Sequence, residues 1–447
     1  MAVRRLSEYA ERARNYYLET GTRFPRNIIW AMGLIKASVA RANMDLGLLS
    51  GDVGSAIVRA SLELASGAYD GLIVVDVFQT GSGTGLNMNV NEVIASVASK
   101  YCGCKVHPND HVNMGQSSND VVPTAVRVAA YKAIRDELLP AARALAEDLK
   151  LRASEYKDFV KPGRTHLRDA LPVTFGQELE AYADAIDVDL RELSRASEEL
   201  TYVPLGGTAV GTGLNSHPDM PRLALSYLSS YVGFEVRRAN SFRAMRSLSD
   251  VAAASGALRS LALDLLRVSQ DLRLMNSGPN TGLAEVVIPE EIAGSSIMPG
   301  KENPVTLEAV MQAVAQVIGL DHAVSWAASL GELELNMGIP LMGYDVQLEV
   351  LLLSEAARKL DAMVVKRLRA NQERMRRLAE VSQALVTVLS PIVGYDEATR
   401  IAHEVEGGLS LEEAARRRGL SDDVISAIRD LRSLTSPGVP ARQRKPG

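Results

Sequence analysis

Between about residues 120 and 370, apolar side chains recur at i, i+3, i+4 and i+7 in one long segment after another, separated by short polar or glycine-bearing joints. That spacing puts an apolar stripe on each of several α-helices, and an all-α bundle buries such stripes together. Five long helices are expected. The first follows Ser117-Ser118-Asn119-Asp120, with Pro123 in its first turn, an apolar face through Val126, Ala130, Ala133, Ile134 and Leu138, and a kink expected at Pro140. Thr174 and Gln177 stand at capping-box spacing and open the second, which passes Tyr182, Ile186 and Leu190. Ser249 and Asp250 open the third, stopped by Asn276-Ser277-Gly278-Pro279. Asn303 as N-cap, with Pro304 at the first helical position, opens the fourth, and the fifth follows Pro340.

Hydrophobic residues make up 47% of the 447 but aromatics only 5%, so the apolar content is largely small and aliphatic and suits closely packed helices. Runs such as Val251-Ala-Ala-Ala-Ser-Gly-Ala and Val310-Met-Gln-Ala-Val-Ala-Gln-Val have little polar face. Such helices need neighbours on several sides, which points to an oligomer in which bundle packs on bundle. Three domains are expected. Residues 1–115 read as shorter helices with Gly- and Asn-rich loops, among them Thr80-Gly-Ser-Gly-Thr-Gly and Asn87-Met-Asn-Val-Asn-Glu92; residues 116–370 form the long-helix bundle; residues 371–447 form a small, charged helical domain ending in a disordered tail from Ser436.

A formal charge of −5 supplies no basic field for nucleic acid, so an anionic ligand has to be held by local donors. The start carries no apolar signal core, Glu8 and Glu11 argue against an organelle presequence, and no segment offers about 18 consecutive apolar residues for a membrane span. A cytoplasmic protein is expected, with no nucleic-acid or membrane partner. Cys102 and Cys104 are two positions apart, a spacing expected to strain a mutual disulfide, so reduced thiols are expected and a structural zinc site is not.

The chemistry-bearing stretch is Gly294-Ser295-Ser296-Ile297-Met298-Pro299-Gly300-Lys301-Glu302-Asn303-Pro304. It gathers hydroxyls, an ammonium and an amide on one glycine-bounded loop. Removing a proton next to a carboxylate builds a doubly negative aci-carboxylate, and the barrier falls only if donors and a cation are already fixed where that charge develops.

Together with Thr80-Gly-Ser-Gly-Thr, Asn87-Met-Asn-Val-Asn-Glu92, His107-Pro-Asn-Asp110, Gln116-Ser-Ser-Asn-Asp120, Gly163-Arg-Thr-His166, Leu205-Gly-Gly-Thr208 and Glu332-Leu-Glu-Leu-Asn336, this loop resembles the class II fumarases of the fumarase/aspartase superfamily. The ordered set runs over most of the chain. Aspartases usually carry glutamine after the threonine where this chain has Thr165-His166, so the resemblance implies a fumarate hydratase more than an aspartate ammonia-lyase or another fumarate-releasing lyase. A non-catalytic homologue is the remaining alternative. The resemblance implies no metal or organic cofactor, a dicarboxylate substrate, and a homotetramer whose active sites each draw on three subunits.

It also implies roles. Ser295 matches the family's proposed base, Lys301 stabilises charge on the loop, His166 protonates the departing hydroxyl, and Glu308 orients His166; either Ser295 or His166 can take the C–H proton. Ser82, Thr84, Ser117, Ser118, Asn119, Thr165 and Asn303 are the further substrate-binding candidates. His107, Asn109 and Asp110 resemble a second dicarboxylate-binding loop, although a proline-fixed local turn is the alternative. Departures are also visible: the Asp-Thr-Met-Gly-like and Trp-Gly-Ala-Gln-Thr-Gln-like runs that usually open the family are missing, Gly85-Leu86 stands where a serine pair is usual, and Asn280 where arginine often follows Ser-Gly-Pro.

Overall fold

The computed structural model describes residues 8–289, 292 and 294–438. The expectations for residues 1–7 and for the tail at 439–447 fall outside them.

The chain divides into two compact units. One comprises Met1–Ala142, Val188–Leu263 and Gln312–Ala357, the other Arg143–Asp187, Asp264–Met311 and Arg358–Gly447. The helices are, in order, α1 (Glu8–Ala13), α2 (Arg26–Asp45), α3 (Gly51–Ser66), α4 (Thr84–Cys102), α5 (Ser118–Ala133), α6 (Leu139–Glu155), α7 (Phe175–Glu198), α8 (Met220–Val232), α9 (Ser241–Arg246), α10 (Ser249–Met275), α11 (Val305–Ala328) and α12 (Ile339–Lys359). Five short ones follow: α13 (Gln372–Glu380), α14 (Ser390–Val393), α15 (Tyr395–Glu406), α16 (Leu411–Arg417) and α17 (Asp422–Arg429). The all-α expectation holds. Among the described residues no helix is long and apolar enough to cross a membrane.

The five long helical segments lie where the periodicity puts them. Ser117 and Asp120 form a capping box at α5. Thr174 and Gln177 cap α7 reciprocally, Thr174 N donating to Gln177 Oε1 at 2.9 Å and Gln177 N to Thr174 Oγ1 at 3.1 Å. At Pro140 the chain widens into a π-turn over Ile134–Leu138 that joins α5 to α6. Proline has no N–H and its ring crowds the carbonyl four residues back, and the wider turn relieves both.

In the first unit, Arg127 of α5 is buried and pairs bidentately with Asp250 of α10, at 2.7 and 3.0 Å. The Ser255 hydroxyl of α10 hydrogen-bonds with Glu349 of α12 at 2.8 Å and with Asp321 of α11 at 3.0 Å. Before α5, α2 packs against α3, α5 and α8. Here the sequence reading needs correction. Asn87–Glu92 is not a loop but lies inside the 19-residue α4, and α2, at 20 residues, is not short. Asn87, Asn89 and Asn91 are buried, and their side-chain N–H groups reach Asn113 Oδ1, the Leu72 carbonyl and Asn113 Oδ1 again, at 3.1, 3.0 and 3.2 Å. A buried amide is tolerated once its donors are paired, and these partners come from other segments.

Cys102 and Cys104 are joined in a disulfide, which corrects the expectation of free thiols. Gly103 takes a left-handed φ of 64° at the end of α4 and turns the chain back. The two Cα atoms are 5.2 Å apart, an ordinary disulfide span, so the strain expected from the short spacing is relieved by the glycine.

In the second unit, β1 (Val160–Thr165) and β2 (Arg168–Thr174) form an antiparallel hairpin. The C-terminal helices close over a core that includes Ala379, Leu389, Ile401, Ala414 and Ile425. Asn303 does not cap α11 as expected. The helix begins at Val305, and Glu308 N donates to the Pro304 carbonyl at 3.1 Å, because the Asn303 amide is used to hold the Gly294 carbonyl.

Candidate active site

The expected site residues fall into two groups, one in each unit. In the first unit three hydroxyls meet: Ser82 Oγ and Thr84 Oγ1 are 2.8 Å apart, and Thr84 Oγ1 is 2.8 Å from Ser118 Oγ. Ser82 and Thr84 lie on a tight turn in which Gly83 N donates to the Thr80 carbonyl at 2.7 Å. Gly83 has a φ of 77°, and a Cβ added there would lie 2.7 Å from Val122 Cγ1, so α5 presses directly on the turn. Ser118 opens α5 and Ser117 caps it, its Oγ accepting from Asn119 N at 3.2 Å. Asn119 donates its side-chain N–H to the Ala209 carbonyl at 2.8 Å. Hydroxyl donors beside a helix N-terminus form a place where a carboxylate is favoured.

Behind this cluster stand two residues to which the sequence reading gave no site role. Asp120 is fully buried and accepts from Ser117 N at 2.9 Å, Gly206 N at 2.9 Å and Thr208 N at 3.1 Å. One carboxylate thus ties the helix cap to the Gly206–Thr208 turn. Burial pushes its pKa up to about 6, against the pull of those N–H groups and of Lys36. Lys36, also fully buried, donates to Asn113 Oδ1 at 2.9 Å and Gln116 Oε1 at 3.0 Å, and burial pushes its pKa down to about 7. The only signal for Lys36 was a lysine inside the otherwise apolar run Met32-Gly-Leu-Ile-Lys-Ala. For Asp120 it was the third position after a serine cap.

His107 caps the π-turn Pro108–Val112, its Nδ1 accepting from Asn109 N at 3.3 Å and Asp110 N at 3.1 Å. Asp110 Oδ2 lies 3.2 Å from the same nitrogen. Its ring therefore serves the local turn whatever else this loop binds.

In the second unit, Thr165 and His166 stand exposed at the tip of the hairpin. Thr165 pairs with Arg168, leaving His166 and Leu167 as a two-residue loop with φ values of 55° and 57°. Two consecutive positive φ angles suit Asn-Gly, so a histidine there is held by its surroundings and not by its own preference. The loop is anchored from below: Arg164 pairs with the fully buried Glu285, which also lies 3.4 Å from Lys161.

Ser295 is half-buried, and its Oγ accepts from Ile297 N at 3.2 Å and Met298 N at 2.9 Å. The loop closes through Gly294 N to the Lys301 carbonyl at 3.1 Å and through the Asn303 amide to the Gly294 carbonyl. Lys301 is exposed at its rim. Glu308, in the first turn of α11, lies 3.7 Å from Arg273. Among the described residues no hydrogen bond joins Glu308 to His166 within the chain, and no three His, Cys, Asp or Glu side chains are grouped as metal ligands.

Comparison with known proteins agrees with this geometry. A lyase family matches residues 7–319, and a family described as the fumarase C C-terminus matches residues 385–436. A class II fumarate hydratase from Saccharolobus solfataricus is 53% identical over 437 residues, covering 97% of this chain and 100% of the relative. One from Mycobacterium tuberculosis is 44% identical over 424 residues, covering 94% and 89%. The crystal structure of recombinant class II fumarase from Schistosoma mansoni superposes with a TM-score of 0.94 at 32% identity, covering 98% of this chain and 97% of that one. With relatives matched from end to end, this chain belongs to the class II fumarate hydratase family.

Proposed function

We propose that the chain interconverts fumarate and (S)-malate by anti addition and loss of water, as a fumarate hydratase of the citric acid cycle. The observation that carries the reading is the hydroxyl cluster of Ser82, Thr84 and Ser118 at the N-terminus of α5, in a chain that matches class II fumarate hydratases end to end. One substrate carboxylate binds there, with Ser117 and Asn119 beside it. Thr165, Lys301 and Asn303 hold the other.

In the dehydration direction, Ser295 takes the C–H proton and the electron pair left behind spreads into the neighbouring carboxylate. The aci-carboxylate then expels the hydroxyl, which takes a proton from His166 and leaves as water. A serine hydroxyl is too weakly acidic to do this unaided. The N–H groups of Ile297 and Met298 already point at its oxygen and favour the alkoxide, with the Lys301 ammonium on the same loop. The steps need no metal or organic cofactor.

The site is completed by other subunits of a homotetramer, three of which contribute to each centre. Two features support this. His166 and Glu308 are not bonded within one chain, so Glu308 can orient the imidazole of a neighbour. A groove of about 630 Å³ also runs between α7 and α10, with the small residues Ala196, Ala253, Gly256, Ala257 and Ser260 along it and Glu192, Arg195, Glu199 and Asp250 beside them, so a neighbouring helix seated there would meet small side chains and charged ones together. The His107–Asp110 loop is a second dicarboxylate site near each centre, and the enzyme works in the cytoplasm.

The test is the fumarate absorbance band after (S)-malate is added, with aspartate and Ser295→Ala run in parallel. Absorbance rising with malate alone, and lost in the variant, is expected. Ammonia released from aspartate would make the chain an aspartase, and silence with both substrates would remove the hydratase reading.

A further inference from the structure

The turn carrying Ser82 and Thr84 is roofed by a segment of the chain outside every motif discussed so far. Residues 8–22 run along α4 and the stretch Asp76–Thr80. Glu92 of α4 takes the N–H groups of Tyr9 and Ala10 at 2.9 and 3.4 Å, so α1 starts on that carboxylate. Further on, Leu18 N donates to the Phe78 carbonyl at 3.2 Å, and Asp76 Oδ2 accepts from Thr20 N and Thr20 Oγ1 at 2.8 and 2.9 Å. These bonds fix the segment at both ends.

Between the anchors, Tyr17 is half-buried and touches the turn at two points. Its hydroxyl is 2.9 Å from Thr80 Oγ1, at the first corner of the turn, and 3.1 Å from the Tyr9 hydroxyl. Its ring covers Gly85, the residue after Thr84: a Cβ added at 85 would lie 2.6 Å from Tyr17 Cε2 and 2.6 Å from Gln79 Oε1. Gly85 is the second residue of α4, and the ring lies so close to it that a side chain there would force a shift. Gln79 contributes less, because its amide is the end of a flexible side chain, although it accepts from Leu86 N at 2.9 Å.

We infer that Tyr17 is a positioning residue for substrate binding, holding the Thr80–Thr84 turn at both corners so that Ser82 and Thr84 stay in register with Ser118, and that Gly85 is its matched partner. This rests on the reading of the Ser82–Thr84–Ser118 cluster as a carboxylate site. Tyr17 acts through Thr80 and Gly85, and no contact between its phenol and the substrate is required.

The experiment is steady-state kinetics with (S)-malate on the full-length enzyme and the variants Tyr17→Phe, Tyr17→Ala, Gly85→Ala, Tyr17→Ala/Gly85→Ala and Thr84→Val, with the melting temperature of each. Losing the Thr80 bond in Tyr17→Phe is expected to raise KM about fivefold, and losing the ring as well about tenfold or more, while kcat changes by less than about twofold. Gly85→Ala alone is expected to raise KM, and the double variant to lose clearly less than the two single losses combined, since the ring its methyl meets has gone while Gln79 remains. Unchanged KM in both Tyr17 variants, with Thr84→Val raising it, overturns the inference and leaves the carboxylate site standing; so does a fall in melting temperature with unchanged KM. Additive losses in the double variant overturn the pairing with Gly85. If Thr84→Val leaves KM unchanged, the carboxylate site falls, and the inference with it.

Discussion

Arg164 Nη1 donates to Glu285 Oε2 at 3.1 Å and its Nη2 lies 3.0 Å from Oε1, one residue before Thr165 and two before His166. Glu285 is fully buried and Arg164 half-buried, and the backbone beyond them carries two positive φ angles in a row. One charge-assisted hydrogen bond with a second close charge contact ties the strand below the tip to a buried carboxylate. Glu285→Gln keeps the shape but takes away the counter-charge shared by the half-buried Arg164 guanidinium and the buried Lys161 ammonium, at a cost on the order of 3 kcal/mol. Denaturant unfolding is expected to show that loss, and kcat for malate to fall by about tenfold or more as the hairpin tip loosens. Unfolding at the wild-type midpoint would show that the pair does not hold the hairpin.

His166→Asn removes the acid for the departing hydroxyl while leaving the carboxylate donors in place. Turnover of (S)-malate is expected to drop by about 10² to 10⁴. The dissociation constant of an unreactive dicarboxylate, measured by calorimetry, is expected to change far less. A variant within a few-fold of wild-type turnover would strip His166 of its role.

Asp120→Asn turns one of the two accepting oxygens into an amide N–H, which then faces either the Gly206 and Thr208 N–H groups or the Ser117 N–H. Unfolding experiments are expected to show a loss of about 2 kcal/mol or more. KM is expected to rise, since Ser117 to Asn119 depend on the same carboxylate. An unaltered KM would separate the buried carboxylate from substrate binding.

Burial pushes Glu349 up to about 9, helped by Asp321 and Asp345 and opposed by the Ser255 hydroxyl and Arg259. Burial alone pushes Asp345 up to about 7. Both values lie above those of an unfolded chain, so between the two the folded state holds protons that unfolding releases. Stability from these groups is fully present below the unfolded carboxylate values of about 4, falls as pH rises above them, and is fully lost by about pH 7 for Asp345 and about pH 9 for Glu349. The melting temperature is expected to fall between about pH 6 and pH 9.5, and less steeply in Glu349→Gln. A slope that the variant leaves unaltered would contradict the assignment.

Much of this architecture was legible because its signals are local. A serine or threonine followed three residues later by Asp or Gln caps its helix through contacts within one turn, which is why α5 and α7 begin where expected. The hairpin at 160–174 was hidden because Val-Lys-Pro-Gly-Arg-Thr carries proline and glycine where strands usually do not, and its stability comes from Glu285, more than 100 residues away. The burial of Lys36, Asp120 and the asparagines of α4 was not legible, because distant segments supply their partners. The disulfide turned on one backbone angle at Gly103, which spacing alone does not reveal. For the site, the Gly294–Pro304 loop was marked out by its own hydroxyls, ammonium and amide, while the hairpin residues and the individual roles came from the resemblance. The Asp120 anchor and the Tyr17 roof emerged only with tertiary contacts.

The asparagines of α4 also bear on how the molecule ages. Asparagine is among the residues most easily lost to heat, because the next backbone nitrogen can attack the side-chain carbonyl and close a ring that hydrolyses to aspartate or isoaspartate. That attack needs the local backbone free to swing round. Asn87, Asn89 and Asn91 each precede a nitrogen locked in the helical ladder, away from water. The segment with the densest asparagine content is thereby shielded from deamidation for as long as α4 stays wound, so the enzyme's chemical lifetime is set there by the rate at which that helix opens.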